Sequence, residues 1–513
     1  MRNRRRRNAA NRRQSVVLVT EGAYPYAQGG VTTWCDQLIR GLPEVDFVVA
    51  AVCGTGREDP VIALPGNVTA VQPIPVWGPA RQAGSRLRRR RKRRVTELHR
   101  RLIETIYLED PRSGVREFLD ILRELQALNR RYNVGHAMRS ESAVVALHDV
   151  ISRRRPEVRR ERFLRRHPLS DALRANDLLD HFLRALWAPP IQADLVHCVC
   201  DGLPVLQALA AKWSHNVPYI LSEHGVYMRE RYLAADVDDH PFEVRDFVLR
   251  FMRLLVLGGY QEAAVITPVC SFNRRWELRL GADPDVIEPI YNGIDPGRFP
   301  LAGPEPDVPT ITWVGRIDPL KDVETLIAAF AGVHTAIPEA RLRLFGPVPH
   351  GNEAYAERCH ALVHRLKLDD VITFEGPTSD VASAYASGHT VVLSSLSEAF
   401  PYTVIETMAC GRAPIGTDVG GVAEAIGDAG LIVPPRDPSA MAEACILMLT
   451  DDELRNDCAT RARERALEQF TLNGFLATYR EVYNRYLTPD DITFARAGRA
   501  VREREPVAVG QVA

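Results

Sequence analysis

Short apolar runs and longer amphipathic stretches alternate along the first part of the chain. The runs at residues 16–20 and 47–52 predict strands, and the amphipathic stretch 31–40 between them predicts a helix. Three later apolar runs predict further strands, at 194–199, 219–222 and 265–269. Short apolar strands that alternate with helices are typical of a parallel sheet, whose strands are covered on both faces.

The alternation becomes more regular after residue 310. Strands are predicted at 310–314, 341–345, 371–375, 390–393 and 413–416, and helical stretches such as 323–334 and 403–410 lie between them. Strands separated by helices in this way predict a doubly wound α/β domain. The stretch 296–309 is rich in Pro, Gly and Asp and has no periodicity, which predicts the linker between two domains.

The pattern therefore predicts an α/β chain of two domains, and 513 residues are enough for each domain to bury its own core. The N-terminal domain is predicted to cover residues 15–295, with an Arg- and Leu-rich helical insertion at about 80–190. The C-terminal domain is predicted to cover 305–465. Residues 1–14 are predicted to form a disordered basic N-terminus, and 488–513 a frayed tail.

The composition narrows the class of protein. Lys and Arg together number 65, as do Asp and Glu, and this balance argues against a dedicated nucleic-acid binder. Basic residues nevertheless cluster at 4–7 and at 86–94. Such clusters usually lie in solvent. The alternative is attraction to an anionic membrane surface, and the sequence leaves both interpretations open.

Signals for export, membrane insertion and disulfide bonding are weak. The apolar run 16–19 after the N-terminal arginines is too short for a secretory signal. No uninterrupted run of about 18 apolar residues predicts a membrane span. The nine cysteines form no CxxC pair, and Cys198 and Cys200 lie in an apolar run typical of buried thiols. We therefore expect a cytoplasmic protein with reduced thiols.

The segment 394–411 carries the most informative chemistry. Glu398 follows a predicted strand, Pro401 suits the first turn of the next helix, and Gly411 suits the position past its end. Glu406 lies about one turn into that helix. Free N–H groups at a helix start favour an anion, so a diphosphate could bind there with the two carboxylates on sugar hydroxyls at either side. Two solvated glutamates beside a helix cap are the alternative.

Two cations follow the strand predicted at 310–314. Arg316 and Lys321 lie where an open α/β sheet places its ligand, just outside the carboxyl end of a strand. Arginine binds phosphate through a planar fork and lysine adds a point charge, so the pair predicts a phosphate site. The alternative is that Arg316 only pairs with Asp318 or Glu324.

Two weaker signals lie in the N-terminal half. Gly29 and Gly30 follow the first predicted strand and open a helix, where glycine allows a ligand to approach the backbone closely. His224 stands beside Gly225 at a predicted strand end and could contact a substrate hydroxyl. A lone histidine is more often structural, which is the alternative for His224.

Two further patterns fit their usual sites poorly. Gly54 and Gly56 follow a strand, but Asp59 occupies the third glycine position of a dinucleotide-binding loop, so NAD binding is not expected. Asp236 and Asp238 form a D-x-D pattern of the kind that binds metals in some enzymes. No predicted strand precedes them, and the sequence favours a solvated loop.

The C-terminal half resembles the family 4 retaining glycosyltransferases, which have the GT-B fold. Segments 398–406 and 314–321 resemble that family's E-x7-E motif and G-R-x4-K region. In the N-terminal half, segments 20–34, 222–227 and 291–295 are similar to the PelF-like subgroup of exopolysaccharide synthesis. The resemblance implies two Rossmann-like domains facing each other across a cleft, with the acceptor side in the N-terminal domain and the donor side in the C-terminal domain.

The resemblance also implies roles for the candidate residues. Arg316 and Lys321 would bind the donor diphosphate, and Glu398 the hydroxyls of the donor sugar. Glu406 would bind the ribose, and His224 would contact the sugar near the reacting carbon. The other implied donor contacts are Gly29, Gly30, Phe400, Pro401, Tyr402 and Thr403. A C-terminal helix within 466–487 would cross back to the N-terminal domain.

The implied activity is retaining transfer of a hexose from UDP-glucose or a related UDP-sugar to a growing polysaccharide or other glycan. No metal or other cofactor is expected, because the two cations would neutralise the leaving diphosphate. The implied partners are the donor, the acceptor and an inner-membrane polysaccharide synthesis complex, with no nucleic acid. Three alternatives on the same architecture remain: a non-catalytic nucleotide-sugar-binding module, a nucleotide-sugar epimerase, and a phosphorylase with lysine-bound pyridoxal phosphate.

Overall fold

A computed structural model describes residues 13–78, 84–85, 87–158, 168–235 and 239–487. Within these ranges the chain forms two six-stranded sheets, and all the strand pairs are parallel. Each sheet has helices on its faces. The prediction of an α/β fold with two doubly wound units is therefore confirmed.

The N-terminal sheet has the order β3-β2-β1-β4-β5-β6. Its strands are β1 Ser15–Glu21, β2 Asp46–Cys53, β3 Val68–Pro75, β4 Leu195–Cys198, β5 Tyr219–Glu223 and β6 Val265–Pro268. The central strand β1 is buried on both faces, because helices cover both sides of the sheet. The edge strand β3 was not predicted from the sequence; its residues VTAVQPIP mix apolar, polar and Pro positions and are mostly only half buried.

Helices connect most of these strands along the chain and pack on the faces of the sheet. The helix after β1 is α1, Gly30–Gly41. The region of the predicted insertion contains α2 Arg89–Ile106, α3 Pro111–Asn129, α4 Val134–Met138, α5 Glu141–Val158 and α6 Pro168–Trp187. The later helices are α7 Leu203–His215, α8 Tyr227–Ala235, α9 Phe242–Glu262 and α10 Ser271–Leu280. The insertion packs against α9, so it extends the core on the α9 side of the sheet.

The C-terminal sheet has the order β12-β11-β10-β7-β8-β9. Its strands are β7 Thr310–Val314, β8 Arg341–Phe345, β9 Ile372–Gly376, β10 Thr390–Leu393, β11 Ala413–Thr417 and β12 Leu431–Val433. Its helices are α11 Val323–Ala336, α12 Glu353–Leu366, α13 Val381–Ala386, α14 Tyr402–Ala409, α15 Val422–Ile426, α16 Pro438–Thr450 and α17 Asp452–Gln469. Two short 3-10 helices, Pro284–Val286 and Pro319–Lys321, complete the set.

Both sheets have the same strand topology. In each, the strand order reverses beside the strand that comes first in the sequence. The reversal lies between β1 and β4 in one sheet and between β7 and β10 in the other. In open α/β sheets, ligands bind outside the carboxyl ends of the strands at this reversal. The topology therefore predicts a binding site at the carboxyl ends of the strands beside the reversal in each sheet.

The last described helix, α18 Leu472–Leu487, follows the C-terminal domain in sequence but packs on the N-terminal sheet. Its buried side chains Phe475, Tyr479 and Tyr483 share an apolar cluster with residues of β1 and α1. Among the described helices, none has both the length and the apolar composition that crossing a membrane requires.

Candidate donor site

The carboxyl ends of the strands beside the two reversals face each other across one cavity of about 880 Å³. On the C-terminal side, Arg316 follows β7 and Glu398 follows β10. On the N-terminal side, Gly30 follows β1 and Asp201 follows β4. The loops at both strand-order reversals thus line a single space between the domains.

Most of the site residues predicted from the sequence line this cavity. They are Gly29, Gly30, His224, Arg316, Lys321, Glu398, Phe400, Pro401, Tyr402 and Thr403. Pro401 directly precedes α14 and is not in its first turn, where the sequence placed it. Gly411 has a positive φ of 67° just past the end of the helix, as the sequence predicts. Glu406 is the one predicted residue that does not line this cavity.

Arg316 shows the pairing that the sequence offered as an alternative to phosphate binding. Its Nη2 lies 3.3 Å from Oδ2 of Asp318, and its side chain is 58% exposed. Asp318 also accepts a hydrogen bond from the N–H of Leu320, which fixes the turn after β7. An exposed ion pair contributes only about 0–1 kcal/mol. The pairing therefore leaves Arg316 available to a ligand phosphate.

Lys321 and Glu398 form an ion pair that the sequence did not predict. Nζ of Lys321 lies 2.5 Å from Oε1 of Glu398, and both side chains are less than one-fifth exposed. The hydroxyl of Ser395 donates to the same oxygen at 2.6 Å. Residues that the resemblance assigns to different parts of a donor therefore neutralise each other in this structure.

The loop that carries Glu398 is held by hydrogen bonds from two other segments. Asn292 donates through Nδ2 to the carbonyl of Phe400 at 2.9 Å. The N–H of Gly421 donates to the carbonyl of Ala399 at 2.6 Å. A Cβ at Gly421 would lie 2.6 Å from that same oxygen, so the close approach requires glycine. Sequence reasoning did not assign these contacts; the Gly-Gly pair before α15 was the available signal.

Glu406 lies in a second, smaller cavity of about 320 Å³. The hydroxyl of Tyr385 donates to its Oε2 at 2.7 Å. Burial raises the pKa of Glu406, opposed by the Tyr385 hydrogen bond and the nearby charge of Arg298. Glu398 precedes α14 and lines the larger cavity, whereas Glu406, one turn inside the helix, faces the cavity that Arg298 and Asp380 line. That both carboxylates bind one donor, on either side of a diphosphate at the helix tip, stays a prediction.

A side-chain bridge between the two domains lies where the cavities adjoin. The hydroxyl of Tyr402, at the start of α14, donates to Oε1 of Gln37 on α1 at 3.0 Å. Tyr402 lines the larger cavity and Gln37 the smaller. A second bridge runs from Nη1 of Arg229 to Oγ of Ser397 at 2.6 Å. The cleft is therefore crossed by direct hydrogen bonds beside the candidate site.

His224 lies on the N-terminal side of the larger cavity, with its ring against Trp34. The ring centroids are 4.7 Å apart, and the planes meet at 83°. Burial lowers the pKa of His224 to about 4, so the imidazole is neutral at physiological pH. It can therefore serve as a hydrogen-bonding group there, and it carries no positive charge.

Buried carboxyl groups lie close to β5, which ends one residue before His224. Glu223 accepts a hydrogen bond from the hydroxyl of Tyr260 at 3.0 Å, and Asp201 and Glu277 are equally inaccessible to solvent. Burial raises the pKa of all three carboxyls above the ordinary range. Burial therefore disfavours the ionised form of each of these groups.

The remaining sequence patterns have these outcomes. Gly54 and Gly56 flank a local turn in which Glu58 accepts the N–H of Thr55 at 2.7 Å. Asp236 and Asp238 lie outside the described residues. Within the described part of the chain, no group of three or more His, Cys, Asp or Glu residues has the arrangement of a metal site.

Two family models match the chain in succession. Residues 14–285, more than half of the chain, match the model described as "Domain of unknown function (DUF3492)". Residues 302–465 match the model described as "Glycosyl transferases group 1". The second match contains Arg316, Lys321, Glu398 and Glu406, so these candidate residues all lie in the transferase-type domain.

Curated proteins from several bacteria are similar to parts of the chain. N-acetyl-alpha-D-glucosaminyl L-malate synthase of Bacillus anthracis is 34% identical over 251 residues, which cover 46% of this chain and 63% of that protein. D-inositol 3-phosphate glycosyltransferase 2 of Catenulispora acidiphila is 32% identical over 317 residues, 58% and 70% of the two chains. The chain spans about half to two thirds of the length of most of the curated relatives it matches.

Solved structures share the fold across nearly the whole chain. Sucrose-phosphate synthase of Thermosynechococcus elongatus has a TM-score of 0.59 at 19% identity, covering 92% of this chain and 99% of that one. Anabaena Alr3699/HepE, in complex with UDP and glucose, has a TM-score of 0.58 at 14% identity, covering 91% and 99%. These likenesses show the predicted GT-B fold. The chain belongs to the glycosyl transferases group 1 family, and its N-terminal half belongs to the DUF3492 family.

Proposed function

We propose that this protein is a retaining glycosyltransferase that transfers a hexose from a UDP-sugar to a glycan acceptor. One observation carries the proposal: Arg316, Lys321 and Glu398 converge in the interdomain cavity, at the strand-order reversal of the C-terminal sheet. Two cations beside a carboxylate suit a diphosphate joined to a sugar. The names of the relatives, which include sugar transferases, support the same class of reaction.

The two cavities suggest how a nucleotide sugar would lie. We assign the sugar and diphosphate to the larger cavity, and the nucleoside to the smaller one beside Glu406. The Tyr402–Gln37 hydrogen bond at the junction would shift or open when the donor spans both spaces. The complex of Anabaena Alr3699/HepE with UDP and glucose supports a UDP-sugar as the donor.

The chemistry follows from the charges in the cavity. Breaking the bond between the anomeric carbon and the diphosphate oxygen leaves positive charge on the sugar and negative charge on the diphosphate. Lys321 would exchange Glu398 for the diphosphate and, with Arg316, stabilise that charge as it develops. Glu398, released from Lys321, would accept hydrogen bonds from the sugar hydroxyls.

Retention would result if the acceptor hydroxyl attacks the face from which the diphosphate departs. The acceptor oxygen forms the new bond to the anomeric carbon, and its proton passes to the departing phosphate oxygen. His224 would contribute a hydrogen bond to the sugar, since its low pKa keeps the ring uncharged. Closure of the cleft would exclude water and limit hydrolysis of the donor.

The same proposal includes catalysis without a metal ion, because Arg316 and Lys321 supply the positive charge that a metal would otherwise provide. Turnover in excess chelator tests it directly. Full activity is expected. Loss of activity that a divalent ion restores would contradict it and would direct attention to Asp236 and Asp238.

A role in exopolysaccharide synthesis at the inner face of a membrane completes the proposal. Residues 88–93 at the start of α2 are all exposed, and Arg91 lies over the ring of Tyr132, next to exposed Arg130 and Arg131. An exposed basic surface of this kind is attracted to anionic lipids. Co-sedimentation with vesicles tests this: binding is expected with anionic phosphatidylglycerol present, and binding equal to that with phosphatidylcholine alone would contradict it.

The decisive experiment for the activity uses a panel of sugar nucleotides that includes UDP-glucose. Release of the nucleoside diphosphate and the mass of the glycan product are measured together. One added hexose on the acceptor is the expected result. Isomerisation of the donor without transfer would indicate an epimerase, binding without turnover would indicate a binding module, and absorbance from lysine-bound pyridoxal phosphate would indicate a phosphorylase.

A further inference from the structure

The indole of Trp34 joins the candidate site to the C-terminal helix. Trp34 is fully buried on α1, and its ring makes edge-on contacts with four other rings. The centroid of His224 lies 4.7 Å away, that of Tyr479 5.3 Å, that of His197 5.6 Å and that of Phe475 5.7 Å. Trp34 is thus the common neighbour of a cavity residue and two residues of α18.

The position of Trp34 along α1 places it between the larger cavity and the interdomain hydrogen bond of Gln37. The helix begins at Gly30, on the wall of the larger cavity, and Trp34 lies about one turn further in. Gln37, on the next turn, bonds to Tyr402 across the cleft. One helix therefore carries the glycine wall of the cavity, the ring beneath His224 and an interdomain hydrogen bond.

The α18 side of the cluster is fixed by hydrogen bonds to the N-terminal sheet. The hydroxyl of Tyr479 lies 3.0 Å from Oγ of Ser222 and 3.1 Å from Oγ1 of Thr267. Ser222 is on β5, two residues before His224. Nε2 of His197 is 2.7 Å from the same Ser222 oxygen. The ring of Tyr479 is therefore held against both Trp34 and the strand that leads to His224.

We propose that Trp34 is a positioning residue that fixes the ring of His224 toward the reacting sugar, and that Phe475 and Tyr479 of α18 hold Trp34 in place. This inference rests on the proposed function, because it assigns His224 a contact with the transferred sugar. Since α18 follows the C-terminal domain in sequence, the placement of His224 would depend on the return of the chain to the N-terminal domain.

A double-mutant cycle tests the proposal. Trp34→Leu, His224→Ala and the double variant are compared by the release of UDP from the accepted donor at saturating acceptor. Trp34→Leu is expected to lower kcat about 10-fold with little change in the KM of the donor, and to lower it less than 2-fold further in the His224→Ala background. Trp34→Phe, which keeps an aromatic ring, is expected to recover most of the activity.

Phe47→Leu is the matched control. Phe47 is fully buried in the same apolar cluster and contacts Tyr483 of α18, with ring centroids 6.4 Å apart. It is expected to lower the melting temperature while leaving kcat unchanged. If Trp34→Leu does not fold, Phe475→Leu replaces it in the cycle.

Three results would overturn the proposal. The first is that the effects of Trp34→Leu and His224→Ala on kcat multiply in the double variant. The second is that His224→Ala has wild-type kinetics. The third is that Phe47→Leu lowers kcat as much as Trp34→Leu does. Wild-type protein that releases UDP from no sugar nucleotide would instead refute the proposed function itself, before any variant is compared.

Discussion

At the scale of single residues, Lys321 and Glu398 both lie in the candidate site, but the charge of each is neutralised by the other. The two side chains lie in contact and are mostly buried, whereas Arg316 is largely exposed beside Asp318. A donor diphosphate would draw Lys321 from Glu398 and free the carboxylate for the sugar. The two cations should therefore respond differently when each is removed.

Arg316→Ala and Lys321→Ala should both lower turnover by about 10²–10³, because each removes a charge that stabilises the leaving group. Their stabilities should differ. Arg316→Ala should change the free energy of unfolding by about 0.5 kcal/mol or less, and Lys321→Ala should lower it by about 1–3 kcal/mol, because Glu398 loses its partner. Kinetics and melting curves check this, with Arg365→Ala on the exposed face of α12 as control. Equal stability of the two variants would contradict the ion-pair argument.

Glu406→Gln should weaken donor binding more than turnover. The neutral amide keeps the shape but loses a charge-assisted hydrogen bond worth about 1.5–3 kcal/mol, which raises the KM of the donor about 10- to 150-fold. Asp380→Asn is the matched variant: Asp380 lines the same cavity, but its Oδ1 already accepts the N–H of Ser383 at 3.0 Å. A KM for Glu406→Gln no higher than that of the matched variant would show that the nucleoside lies elsewhere.

Glu277 provides a test that depends on pH. Burial raises its pKa above the ordinary 4.5, so its contribution to stability is present below pH 4.5 and is lost as the pH rises through its folded value. Glu277→Gln removes this titration. The stability of the variant relative to wild type should therefore increase as the pH rises from 5 to 8.5. Melting curves across that range check it, with exposed Glu443→Gln as control. A constant difference would refute the argument.

At the scale of secondary-structure elements, the turn between β1 and α1 decides how closely a donor can approach. A Cβ at Gly30 would lie 3.7 Å from Cδ2 of Tyr402, which is an ordinary contact, and the rest of its surroundings are open. The glycine is therefore not needed for packing. Its value would lie in the space it leaves in the cavity.

Gly30→Ala should consequently leave the melting temperature nearly unchanged while lowering kcat/KM for the donor on the order of 10- to 100-fold, because the methyl group displaces the donor from its reactive position. Gly66→Ala is the control: a Cβ at Gly66 would have no atom within 4 Å, and Gly66 lies outside both cavities. Wild-type kinetics in Gly30→Ala would exclude close backbone approach at this turn.

The elements that the sequence predicted are those whose pattern is unambiguous. The strands Thr310–Val314 and Arg341–Phe345 match the predicted bounds; the first is mostly apolar, and the second alternates arginine with apolar residues. The edge strand β3 was missed because Thr, Gln and Pro interrupt its apolar residues, and β12 was missed because its apolar run is only three residues long. The stretch 466–487, expected to hold one crossing helix, contains the end of α17 and all of α18.

At the scale of the whole molecule, the site depends on contacts between distant parts of the sequence. The residues on each side of the cleft could be predicted because they follow strands at the order reversal. The Tyr402–Gln37 bridge, the ion pair of Lys321 and the separate cavity of Glu406 could not, because they depend on how the domains and loops pack. The interdomain contacts include the carboxylate of Glu424, which accepts the N–H of Ser271 at the start of α10 at 2.8 Å.

The central claim is that one nucleotide sugar spans both cavities, and a crystal structure of the protein with UDP tests it most directly. The diphosphate is expected within hydrogen-bond distance of Arg316 and Lys321, with the ribose hydroxyls on Glu406 and the Lys321–Glu398 contact broken. UDP bound outside the interdomain cleft, or bound within it while Lys321 remains paired with Glu398 and Glu406 contacts no ribose oxygen, would contradict the account.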